Sequence, residues 1–134
     1  MRRVVVFVAA ALALAGGVRC ADEAMDEDLM QSIEDTNKSL SSNLAVKDDR
    51  GSKEDAKELI DMFSKVEGYF AAKGNATDAV DLARKSKQLT LDIINSVSAE
   101  DFDTAMNAST TLSRACKTCH RSYKKDKDKD KEKS

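Results

Sequence analysis

A chain of 134 residues has room for one domain, and its net charge of −2 argues against a nucleic-acid partner. It contains no Pro and no Trp, and Ala, Leu, Lys, Glu and Asp dominate. That composition suits helices and gives little support to a β-sheet.

The first element is a leader. Arg2 and Arg3 precede an apolar run from Val4 to Ala15, followed by Gly16, Gly17 and Val18. A short basic start, a short apolar stretch and small residues make a secretory signal peptide over residues 1–20. The run is too short to span a bilayer, so no membrane span is expected in the mature chain. Cleavage after Cys20 puts Val18 and Cys20 at the two positions that want small residues, and Gly17 offers a second cleavage point. Arg19 stands where a lipoprotein signal wants a small residue, which argues against a lipid anchor at Cys20. Loss of the leader removes three arginines and no acid, so the net charge falls to −5 and two cysteines remain.

Four helices follow, over residues 21–124. Polar breaks at Lys47–Ser52, Lys73–Asn75 and Ser98–Glu100 separate them. Gly74 is placed to end a helix in the left-handed conformation. Ser52 and Ser98, each with an acid three residues on (Asp55, Asp101), look like helix N-caps. Between the breaks the apolar spacing is helical. Helix one carries Met30, Ile33, Asn37, Leu40 and Leu44, and helix two Ala56, Leu59, Phe63, Val66 and Phe70. Helix three carries Ala79, Leu82, Ser86, Leu89 and Ile93, flanked by Ala83 and Val97. Helix four carries Phe102, Ala105, Ser109, Leu112, Cys116, Cys119 and Tyr123. Short loops make neighbouring helices antiparallel, so the expected fold is all-α, an up-down-up-down four-helix bundle. Several seam members are Ala, Ser or Asn, so a cofactor at one end would add missing apolar contact. Residues 125–134 are charged with no apolar anchor, and a disordered tail is expected. Three Asn-x-Ser/Thr triplets, at Asn37, Asn75 and Asn107, carry no weight, since two fall inside expected helices.

The chemistry lies in Cys116-Lys117-Thr118-Cys119-His120, a C-x-x-C-H motif for covalent haem attachment. Two thiols one helical turn apart reach the two vinyl groups on one porphyrin edge. The imidazole, on the same face as Cys116, can then turn under the iron. Zinc would want a fourth ligand, and the mature chain has no other His or Cys. A thioredoxin-like pair belongs in a βαβ unit. A plain disulfide leaves His120, the one histidine, without a role.

A C-x-x-C-H at the far end of a four-helix pattern resembles the class II c-type cytochromes, cytochrome c-prime and its low-spin relatives. The run from Cys116 to Lys124 looks like that family's C-x-x-C-H-x-x-Y-[RK] ending, and the resemblance covers about residues 22–124. It implies one haem c with thioether bonds at Cys116 and Cys119 and with His120 as the proximal iron ligand, near the end of helix four. It also implies one of two activities. A methionine near the start of helix one makes a six-coordinate, periplasmic electron carrier. An apolar residue there leaves a five-coordinate iron that binds nitric oxide or carbon monoxide.

Met30 matches the methionine of the first type by position. Met25 lies off the helix-one seam, Met62 sits roughly 16 Å away at about 1.5 Å per residue, and Met106 shares the helix of His120. The expected pocket lining includes Phe70 and Tyr123, with Gly68 making room for the porphyrin. The expected partner is a redox protein, and homodimers occur in the family. A peroxidase-like enzyme would need a distal acid–base group, and no second histidine exists to supply it.

Overall fold

The computed structural model describes the backbone of residues 27–132 and the side chains of residues 27–122. The expected signal peptide, Cys20, Met25 and the side chain of Tyr123 lie outside these described residues. Four helices follow one another: α1 (Glu27–Ala45), α2 (Asp49–Lys73), α3 (Thr77–Ser98) and α4 (Phe102–Glu132). Three-residue connections make each helix reverse onto the last. Each helix packs on its sequence neighbours, and α4 closes the ring against α1. The fold is an all-α, antiparallel four-helix bundle. Among the described residues no helix is long and apolar enough to cross a membrane.

The stripes of α1 and α2 are as the spacing predicts. Ile33, Leu40 and Leu44 are buried on α1, and Ala56, Leu59, Phe63, Val66 and Phe70 on α2. Helix α3 is rotated from its expected stripe. Its buried line is Ala83, Ser86, Thr90, Ile93 and Val97, while Ala79, Leu82 and Leu89 are only half-buried. Thr90 escapes a reading by hydrophobicity. Its hydroxyl donates to the Ser86 carbonyl at 2.7 Å, so the side chain is buried without an unmet polar group.

The helix starts also differ from expectation. Asp48, not Ser52, caps α2, its carboxylate accepting from the Gly51 N–H at 3.0 Å. Asp101, not Ser98, caps α4, accepting from the Thr104 N–H at 3.0 Å and the Thr104 hydroxyl at 2.7 Å. An aspartate both caps and complements the helix dipole, so it outcompetes a nearby serine. Ser98 ends α3 with its hydroxyl on the Ile94 carbonyl. Gly74 does close α2 in the left-handed conformation, at φ 73°.

Ser52 belongs instead to the inward face of α2, four residues before Ala56. It is fully buried and its hydroxyl has no hydrogen-bond partner. Ser52→Ala is therefore expected to raise stability by about 1 kcal/mol, since it removes a buried unmet hydroxyl. A cap serine would instead cost roughly 0.5–2 kcal/mol on the same change. Urea unfolding of the variant reads the sign, and a loss of stability would reinstate Ser52 as a cap.

At the other end α4 runs into the charged segment. Its backbone stays helical through the charged run to Glu132. Once a helix is nucleated, each further residue adds a hydrogen bond at little cost, and the Lys residues of the run are good helix formers. The run still has no apolar residue. Deleting residues 125–134 should therefore leave the thermal midpoint nearly unchanged. A large drop would show that this segment packs on the bundle.

Candidate functional site

The α1–α4 seam carries the site, and its register can be read from two hydrogen bonds. Asn37 Nδ2 donates to Ser113 Oγ at 2.9 Å, and the hydroxyls of Ser41 and Ser109 meet at 3.2 Å. Four residues forward on α1 is thus four residues back on α4. The same register carried the other way sets Glu34 level with Cys116. It also sets Met30, seven residues before Asn37, level with His120, seven after Ser113.

A cavity of about 360 Å³ opens here between the helices, within the roughly 300–1,000 Å³ range of cofactor pockets. Helix α4 contributes Ser113, Ala115, Cys116, Lys117, Cys119 and His120. Helix α1 contributes Met30, Ile33, Glu34, Asn37 and Lys38. Phe63 and Val66 come from α2, and Leu82, Ala83 and Ser86 from α3. The rotation of α3 helps to make the space. It turns small Ala83 and Ser86 inward where larger side chains would have filled the bundle.

Of the expected site residues, Cys116, Cys119, His120 and Met30 all line this cavity. Met30 is half-buried, and among the described methionines it is the one on the cavity wall; Met62 is buried elsewhere in the core. His120 is exposed, so its ring stands at the mouth. It does not lie near the end of α4 as expected, because the helix runs on to Glu132. Phe70 lies one to two turns beyond Phe63 and Val66 and lines a neighbouring hollow with Asn75, Thr77, Leu82 and Cys119, the last two shared with the main cavity. Its ring meets Tyr69 edge-on, with centroids 5.2 Å apart. Gly68 is exposed, and among the described residues a Cβ there would meet nothing within 4 Å.

Cys116 and Cys119 are free thiols, both half-buried. Burial, aided by the neighbouring Cys119, pushes the Cys116 thiol up to about 11, and burial raises Cys119 as well. Both therefore hold their protons at neutral pH, unlike the activated cysteine of a thiol enzyme. Across the seam, Glu34 and Lys38 pair at 2.9 Å on the cavity rim. The hydrogen bond and charge of Lys38 hold the Glu34 carboxyl below its ordinary range.

Glu34, Lys38, Lys117, Phe63 and Leu82 were not foreseen as site residues, because their place depends on what faces them. Asn37 carried a signal: a polar residue in an otherwise apolar stripe. Among the described residues no three His, Cys, Asp or Glu side chains gather as a metal site, so the set lacks what tetrahedral zinc requires.

Two thiols and an imidazole lie on one face of α4, with a thioether level with the imidazole on α1 and Phe63, Val66 and Leu82 on the wall. No family model, curated protein or solved structure matches the chain.

Proposed function

We propose that the chain is a c-type haem protein that carries single electrons in the periplasm, delivering them to or from a redox protein. One observation carries the reading: the C-x-x-C-H residues and Met30, from opposite helices, line the same cavity. A bound haem would supply the one-electron iron couple. The chain supplies the rest. Cys116 and Cys119 are the attachment points, which keep the cofactor from leaving in an open aqueous compartment. His120 is the proximal ligand and Met30 the sixth. Phe63, Val66 and Leu82 keep water from the wall, and Lys38 and Lys117 offer cations to carboxylates at the edge. With His120 and Met30 both holding the iron, the role would be that of a carrier.

The deciding experiment is expression of the full chain in a host that attaches haem outside the cytoplasm, followed by acid–acetone extraction. The colour should stay with the polypeptide, and intact-mass measurement should show one haem per chain. Haem released into the organic phase, or a chain at its bare mass, would sink the reading. Changing both Cys116 and Cys119 to Ala should leave a loosely held haem or an unfolded chain.

A further inference from the structure

The inside of the α1–α4 seam is unusually polar for a bundle. Asn37, Ser41, Ser109 and Ser113 face one another there in two hydrogen-bonded pairs. Asn37 is poorly served by this arrangement. Its Nδ2 reaches Ser113, but its Oδ1 is buried with no hydrogen-bond partner. A buried acceptor left unmet costs stability, so tight packing is not what this residue provides.

Small and apolar seams are tolerant of slippage. Two helices whose stripes repeat every three or four residues can slide by one turn, about 5.4 Å, and still bury apolar groups. Polar side chains with directional partners limit that freedom: a one-turn slip pairs Asn37 with Ser109 or Ser41 with Ser113 and loses the other rung, so the observed register alone makes both bonds. Ser113 sits on the same face of α4 as Cys116, three residues on. The Asn37–Ser113 bond therefore sets directly which α1 residue faces the C-x-x-C-H turn.

We propose that Asn37 is a positioning residue: its hydrogen bond to Ser113 locks the α1–α4 register that holds Met30 level with His120. A slip of one turn would present Ile33 or Glu34 opposite the imidazole, or draw Met30 off the start of α1. Ser41 and Ser109 form the second rung of the same lock. The register claim stands on the hydrogen bonds alone. Its consequence for the iron rests on the haem reading above.

The test uses the full haem-loaded chain with spin labels on Ser32→Cys of α1 and Asn107→Cys of α4, two exposed sites offset by eleven residues, roughly 16 Å, along the bundle axis, so that a slide changes their separation. Pulsed dipolar distances should be narrow in the parent. In Asn37→Leu, which removes the polar lock and keeps an apolar seam, they should shift or split by about 5 Å, one turn. The low-spin fraction of the ferric haem should fall in step. The swap Asn37→Ser with Ser113→Asn, which rebuilds the bond in reverse, should restore both readings.

A single unshifted distance in Asn37→Leu overturns the proposal, as does a milder Asn37→Ser that leaves distance and spin state at parent values. Intact mass separates this outcome from failure of the haem reading. If the parent carries no haem, the distances are taken with Cys116 and Cys119 changed to Ser, and a register shift in Asn37→Leu still decides the lock.

Discussion

If the proposed haem is bound, Met30→Ala should convert the ferric protein from low-spin to high-spin and open the iron to carbon monoxide. Met30 is half-buried on the cavity wall and level with His120 across the α1–α4 seam. A thioether there would hold the iron of the proposed haem together with His120 and would raise its reduction potential. The oxidised parent should show a weak charge-transfer band near the red end, and the variant should lose it. The reduced parent should bind carbon monoxide slowly or weakly, and the variant readily. His120→Ala is the companion change. It removes the proximal ligand, so the normal spectrum should vanish even with the thioether bonds intact. A parent protein that is already high-spin at neutral pH rejects Met30 as a ligand. The chain would then be a five-coordinate protein that binds nitric oxide or carbon monoxide, with Met30 merely packed in the wall.

Leu40→Ala should lower the unfolding free energy by about 2–5 kcal/mol. Leu40 is fully buried at the middle of α1, flanked on the same face by Ile33 and Leu44. These three carry the apolar burial of the helix, whose α4 side is the polar seam. Removing the middle one leaves a cavity and loosens the helix that bears Met30. In a domain of this size the thermal midpoint should fall by roughly 10 °C or more. Leu91→Ala is the control, because Leu91 is 44% exposed and its truncation should cost little. A Leu40→Ala loss below about 1 kcal/mol would mean that the bundle collapses into the space and that α1 is not pinned by this side chain.

The uneven success of the helical stripes has a common cause. On α2 every stripe residue from Ala56 to Phe70 is buried, because that face is strongly apolar and its spacing admits one rotation. On α3 the candidates Leu82, Leu89, Ala83, Ser86 and Thr90 leave two rotations open. Packing against both α2 and α4 chose the one that buries Ser86 and Thr90. Hydrophobicity alone ranks that rotation lower. It became acceptable only through the Thr90 to Ser86 bond and the cavity that Leu82 helps to line. The N-caps show the same limit: serine and aspartate both suit a helix start, and the choice of Asp48 and Asp101 follows from which residues the core claims.

Local spacing was enough to determine the four helices, the breaks between them, the glycine that ends α2, and the placing of Cys116, Cys119 and His120 on one turn of α4. Those properties live within a single helix, where the 3.6-residue repeat ties sequence distance to direction in space. The tertiary structure decided everything that crosses between helices. It brought Met30 level with His120, put Glu34 and Lys38 on the rim, set Phe63 and Val66 on the cavity wall and Phe70 in the adjoining hollow, and turned Gly68 to solvent. A repeat of three and four is unchanged when one helix slides a turn along another. Only directional contacts, here those of Asn37 with Ser113 and Ser41 with Ser109, distinguish one register from the next.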